Sequence, residues 1–333
     1  MKKIYYIILC LITTFSCMSC NDEWKDEQYQ QLASFKANVD AQGVTEAYVR
    51  YKAGGTVTYN VPVLLSGSTM NSTNRTIHIG LDPDTLSVLN REQYGHREEL
   101  YFRQLGESYY SFPETVDMKA GQCEVMLPIQ FSLDNLDQSD KWVLPLQIMY
   151  DRSYNYDVNP RKYYRRAMLK ITPFNDYSGT YDASGYKIYI DPDNSNAFTI
   201  GTTKAYVVDE NTVFIYAGSR DVDYTDRKNY KIFIQFTDEV NDIQTKKLKV
   251  WTDNPELGLK IPDGFQPSYS VNSRMDDIQP YLKKIVISLN LNYSFNDYTT
   301  VPGQIIKYNV NGSLTMERKL NTLIPDEDQQ IQW

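Results

Sequence analysis

Four cysteines, two histidines and 42 carboxylates bound the chemistry open to this 333-residue chain. Cys10, Cys17 and Cys20 crowd the start, so only Cys123 lies in the body of the chain, with no second thiol to pair with. In Cys123-Glu124-Val125-Met126-Leu127 it shares a parity with Val125 and Leu127 and reads as a small buried hydrophobe. His78 alternates within Arg75-Thr76-Ile77-His78-Ile79 and reads as a strand-face residue rather than a base. Histidine and cysteine are too few for a metal cluster, and no cofactor is expected. The nucleophile elbow Gly-x-Ser-x-Gly, a phosphate-cradling glycine loop and His-Glu-x-x-His do not occur. Asp191-Pro192-Asp193-Asn194-Ser195-Asn196 lacks the glycine and closing glutamate of a calcium loop and reads as a β-turn.

Two chemistries remain. Glycoside hydrolysis needs only a pair of carboxylates, which 42 acidic residues leave open. The Asp-x-x-Asp-x-Asp-x-Glu strand motif of chitinase-like barrels, however, does not occur. Sugar binding needs an aromatic platform beside polar groups. Lys247, Lys249 and Trp251 share a strand parity opposite Leu248 and Val250, so Trp251 is predicted to lie off the core face. Asp253 and Asn254 follow it as hydroxyl partners. The competing reading is a tryptophan covering a barrel end. Tyr109, Tyr110 and Tyr224, in turn-rich segments, are further candidates for ligand contact.

The first 20 residues read as an address. Met1-Lys2-Lys3 supplies a positive n-region and Ile4 to Ile12 a short apolar core, shorter than the ~20 residues a spanning helix needs. Ser19 before Cys20 resembles a lipobox, with Cys17 as a rival, and the acidic Asn21-Asp22-Glu23 resembles the surface-export signal of outer-membrane lipoproteins. Residues 1–19 are therefore expected to be a lipoprotein signal peptide, Cys20 the lipidated residue and 20–35 a tether. Acylation contributes ~0.8 kcal/mol per buried CH₂, and two chains hold stably. A net charge of −8, or −10 without Lys2 and Lys3, repels a phosphate backbone, so nucleic acid is not an expected partner.

The elements that must position these residues are strands. Val57, Tyr59, Val61, Val63 and Leu65 keep a period of two, and 44–51, 75–81, 123–131 and 141–150 are further strand candidates. One helix is predicted over Leu81 to Tyr94, capped by Asp82 or Asp84, with Leu86, Leu89 and Asn90 on one face. Prolines at 62, 128 and 145 interrupt three strands and suggest sheet edges or bulges in an immunoglobulin-like sandwich. In the second half, Tyr230, Ile232, Ile234 and Phe236 share a face. So do Ile285, Ile287, Leu289, Leu291, Tyr293 and Phe295, opposite the wet Ser288, Asn290, Asn292 and Ser294. Residues 206–208 and 213–216 read as a hairpin, and Asn311-Gly312 as either a tight turn or a strand interior. The 28 tyrosines suit half-wet sheet faces. The expected fold is all-β: an immunoglobulin-like sandwich over 36–172, then a curled sheet or lipocalin-like barrel over 173–333.

Tyr59-Asn60-Val61-Pro62-Val63-Leu64-Leu65-Ser66-Gly67, Leu86-Ser87-Val88-Leu89-Asn90, Tyr110-Ser111-Phe112-Pro113 and Leu144-Pro145-Leu146 together resemble a domain of unknown function. It sits N-terminally in surface lipoproteins of polysaccharide-utilisation loci and before the catalytic barrel of some endo-β-N-acetylglucosaminidases. The ending, from Asn296-Asp297-Tyr298 through Gly312-Ser313-Leu314-Thr315-Met316 to Ile324-Pro325-Asp326, resembles a second domain often paired with it. The span 173–333 is β-patterned and too short for a catalytic (β/α)₈ barrel of about 250 residues. The resemblance implies a non-catalytic, surface-exposed glycan-binding lipoprotein that captures oligosaccharides near an outer-membrane importer. The alternatives are an interaction lipoprotein docking on that importer or an enzyme, and a hydrolase with a carboxylate pair.

Overall fold

The computed structural model describes residues 26–192, 195–240 and 245–325. The expected signal peptide, Cys20, and residues 193–194 of the turn lie outside them. The all-β expectation holds, and the chain forms a sandwich of two curled sheets followed by a closed barrel.

In the sandwich, one sheet has the order β10-β1-β3-β8-β6. Its members are β1 (Leu32–Phe35), β3 (Val57–Leu65), β6 (Tyr110–Ser111), β8 (Glu124–Phe131) and β10 (Asp157–Val158). The other has the order β2-β11-β9-β4-β7, with β5 also on β9. It comprises β2 (Thr45–Arg50), β4 (Arg75–Leu81), β5 (Phe102–Gln104), β7 (Thr115–Met118), β9 (Lys141–Ile148) and β11 (Arg166–Phe174). Alternate residues of both sheets, among them Val61, Val63, Leu127, Ile129, Leu144 and Leu146, close the core between them. Leu32–Phe35, expected in the tether, is thus a paired strand with Ala33 and Phe35 buried. The preceding turn is fastened too: the Glu27 carboxylate accepts from the backbone amides and hydroxyls of Ser68 and Thr69.

The helix forms as predicted. Helix α1 (Pro83–Tyr94) starts on Asp82, whose carboxylate accepts from the Thr85 amide and hydroxyl and pairs with Arg166. Leu86 and Leu89 bury against Phe102, Val143 and Met168. Asn90 is buried without loss, because its amide exchanges two hydrogen bonds with the backbone of Phe102.

The three prolines correct an expectation. They lie on interior strands, not at edges or bulges. The Leu65 amide donates to the Cys123 carbonyl, which sets the alternation of bonded pairs between β3 and β8. Pro62 and Pro128 then fall on the non-bonded pairs, with their backbone edges turned to the opposite neighbours. Pro62 meets the chain just past the end of β1, where Lys36 donates to its carbonyl. Pro128 faces β6, whose pairing stops at Gln130. Pro145 likewise meets Asp82, just past β4. Each missing N–H points where the neighbouring strand has ended, so no ladder bond is lost.

The barrel ring runs β12-β15-β16-β17-β18-β19-β20-β21 and closes where β21 returns to β12 at Asp182 and Thr315. Its strands are β12 (Gly179–Asp182), β15 (Thr202–Val207), β16 (Thr212–Tyr216), β17 (Lys231–Val240), β18 (Lys246–Trp251), β19 (Ser268–Met275), β20 (Leu282–Asp297) and β21 (Ile306–Asn321). The short β13 (Tyr186–Ile190) and β14 (Phe198–Thr199) extend β21 outside the ring. Asn311-Gly312 is strand interior, not a turn. A Cβ on Gly312 would lie 2.0 Å from the Gly185 carbonyl oxygen, and its φ of 137° suits glycine alone. There β21 passes from β13 to β12.

Most of the described tyrosines keep half-wet or exposed positions, but several serve the barrel core. Tyr181, Tyr186, Tyr230 and Tyr293 are fully buried, each with its hydroxyl bonded. Tyr293 accepts from the Gly218 amide, and burial pushes its phenol up to about 12, so it stays neutral.

Candidate functional site

The outer face of the barrel carries two unlike surfaces. On the first, one aromatic residue from each of four adjacent strands falls in register: Tyr206, Phe214, Phe233 and Trp251. Ring centroids are 5.0 Å apart for Tyr206 and Phe214, 6.2 Å for Phe214 and Phe233, and 5.5 Å for Phe233 and Trp251. Lys231 lies over Phe214 and Phe233 and reaches Asp137 of the sandwich. The ladder therefore begins against the first domain and ends in solvent at Trp251, which lies off the core face as predicted.

The other sequence candidates divide. Asn254 is a structural residue: its carboxamide oxygen caps the helical turn Pro255–Leu257, and its nitrogen donates to the Asn229 carbonyl and the Tyr298 hydroxyl. Asp253 is exposed beside it. Tyr224 stacks under Arg220, which also lies 4.1 Å from the Tyr230 ring centre and pairs with Asp226 and Asp297. This cluster plugs one barrel end. Burial alone would raise Asp297, but donors from Thr300, Tyr230 and the Thr299 amide outweigh it and hold the carboxyl at about 2. Tyr109 and Tyr110 pack on the sandwich core, Tyr110 stacked on Phe112, away from the barrel cluster. The structure thus links Tyr224, Trp251 and Asn254 to one region of the barrel and leaves Tyr109 and Tyr110 in the other domain. His78 is a strand-face residue stacked on Tyr154. Cys123 is only half-buried, with its sulfur 3.8 Å from that of Met70, so its expected full burial is corrected.

The second surface escaped the sequence reading. β18 and β19 pair over only two residues, Lys246 with Tyr269 and Lys247 with Ser268. The intervening chain, 252–267, therefore folds back. It makes its own two-bond bridge to β20, between Lys260 and Ser294. Gly258 ends the capped turn in the left-handed region at φ 57°, where a Cβ would strike the Asn296 amide. Residues Lys260, Pro262 and Asp263 then wall an open cleft of about 670 Å³ over the wet faces of β20, β21 and β13. Its floor is Asn292 opposite Asn311, and Ser294 opposite Asn309, which faces Tyr189 on its other side. Neither the Asn292 nor the Asn311 carboxamide makes a hydrogen bond among the described residues, and Tyr189 offers a half-buried ring with a free hydroxyl. Each carboxamide has two donors and an acceptor in the spacing of a sheet. The wet parity of Asn292 and Ser294 was visible in the sequence. The register placing Asn311 opposite, and the bridge that builds a wall, were not.

Among the described residues no group of three or more His, Cys, Asp or Glu could hold a metal ion. A family model described as a domain of unknown function (DUF4973) matches residues 24–152, and a C-terminal domain model matches 165–315. A protein of unknown function from Bacteroides ovatus is 42% identical with a TM-score of 0.80, over 93% of this chain and 97% of its own. The chain belongs to this two-domain Bacteroides family. A multidomain protein including DUF1735 from B. ovatus is 41% identical, with TM-score 0.79, over 91% of this chain and 100% of its own. An auxiliary nutrient binding protein from Bacteroides thetaiotaomicron is 39% identical, with TM-score 0.78, over 90% of this chain and 100% of its own. No curated protein matches. Neither domain model names a catalytic activity.

Proposed function

We propose that this protein is a non-catalytic nutrient-binding lipoprotein whose ligand is an oligosaccharide held in the asparagine-floored cleft. The observation that carries the reading is the pair of unbonded carboxamides, Asn292 and Asn311, facing each other across two strands. Sugar hydroxyls both donate and accept, and a carboxamide meets them in both roles without charge. Tyr189 supplies an apolar ring face and the 260–263 segment a wall. The nutrient-binding relative at 39% identity supports the same class. Lipidation at Cys20, exposure on the outer membrane and proximity to an importer complete the reading; they rest on the sequence motifs.

Glycan arrays and calorimetry on soluble residues 21–333 test it. An oligosaccharide should be retained, and Asn292→Ala with Asn311→Ala should weaken it at least tenfold while the melting temperature holds within about 2 °C. Retention unchanged in that double variant moves the site elsewhere. Silence across host, yeast and plant glycans favours an interaction protein, and turnover of an oligosaccharide favours a hydrolase.

A further inference from the structure

A second cavity, of about 100 Å³, lies between the two domains, where β11 of the sandwich meets β15 of the barrel. Three lysines reach it, and two are already neutralised. Lys141 pairs with Asp223 at 2.7 Å, and Lys170 with Glu46 at 2.6 Å, while the second Glu46 oxygen accepts from Thr172. The third, Lys204, makes no ion pair among the described residues. It lies 5.5 Å from the ring centre of Tyr206, the half-buried first ring of the aromatic ladder. Gln138, 8% exposed, also lines the cavity, and its side-chain nitrogen has no acceptor.

Buried polar groups in folded proteins are almost always satisfied, so the spare Gln138 donor, with the half-buried Lys204 ammonium on the same cavity, calls for an acceptor. An amide donor and an ammonium have no use for a cation, and every nearby carboxylate is engaged. Burial and the like charge of Lys170 lower the Lys204 pKa, and the nearby Glu46 carboxylate opposes them without reversing the shift. The wall also carries Thr172, Ser178 and Asp140, the last already paired with Arg103 and Lys228, and an apolar side at Ile171 and Val222. The volume is several times the roughly 10–15 Å³ that one water requires.

We infer that this interdomain cavity is a binding site for a short-chain monocarboxylate, its oxygens on Lys204 and Gln138 and its alkyl end against Ile171 and Val222. The site is separate from the cleft, and the inference does not rest on the glycan reading.

Thermal unfolding and calorimetry of the full chain test it, comparing acetate and propionate with chloride and sulfate at constant ionic strength. Acetate should raise the melting temperature saturably, with chloride and sulfate inert. Lys204→Met should melt no lower than the parent in chloride, since it removes a desolvated cation that makes no ion pair of its own, and should weaken the acetate response at least tenfold. Gln138→Leu should weaken it several-fold, and it serves as the deciding variant should Lys204→Met fail to fold. Equal shifts with acetate and chloride, a sulfate response without an acetate one, or a parental acetate response in both variants would each overturn the site and leave a cavity that holds water.

Discussion

The barrel shows two outer faces made from the same kind of strand, and they spend their side chains differently. On β15 to β18 the rings stack on one another, on lysines and against the sandwich, so only the last ring, Trp251, keeps a free side. On β20 and β21 the carboxamides of Asn292 and Asn311 face each other across the sheet without bonding one another. An exposed aromatic already engaged below is a weaker sign of a ligand than two facing carboxamides that hold no side-chain partner among the described residues. The aromatic face joins domains, and the amide face is open.

The largest expected effect would break the first half of that contrast. Arg227, 1% exposed, leaves the barrel and enters the sandwich, donating to the carbonyls of Ser139, Glu99 and Tyr224. Arg227→Ala would strand those carbonyls and should cost roughly 3 kcal/mol, splitting a single unfolding transition into two by calorimetry. Retention of one unshifted transition would show that the seam does not depend on this residue. A smaller effect separates the faces directly. Trp251→Ala should lose about 1–2 kcal/mol by denaturant titration, because it removes the end of a stacked ladder, and leave oligosaccharide affinity unchanged. Loss of binding in that variant would move the site to the aromatic face.

The smallest effect concerns the barrel end that Tyr224 and Arg220 close. Asp297 titrates at about 2 in the folded chain, against roughly 3.9 for an ordinary aspartate. Its contribution to stability is therefore complete above that ordinary value and is lost as pH falls through about 2. Melting temperature should decline across that window in the parent. In Asp297→Asn it should start lower at neutral pH and decline less on acidification. An identical pH profile in both would mean that other carboxylates dominate.

Much of this was legible in the residues. The helix was fixed by Asp82 and the spacing of Leu86, Leu89 and Asn90, all local signals. The in-and-out parity of β20 was equally clear, because sixteen residues repeat it without a break. What failed were the features that depend on a partner distant in sequence. The prolines at 62, 128 and 145 are tolerated because a neighbouring strand stops beside each one. Gly312 is needed because Gly185 arrives there. Asn254 was singled out for a sugar and instead fastens the wall, because Asn229 and Tyr298 come to meet it. Trp251 was placed on the correct face, but Phe233 beneath it could not be seen.

The two-rung join between β18 and β19 has a mechanical consequence. β20 is zipped to β21 along its whole length, so thermal breathing of the ring concentrates at its short stitches, this one among them. Amide hydrogens flanking this stitch should exchange sooner than those of the β20–β21 ladder. The segment spanning it carries the wall at residues 260–263, so the width of the trough can vary while the ring beneath it stays shut.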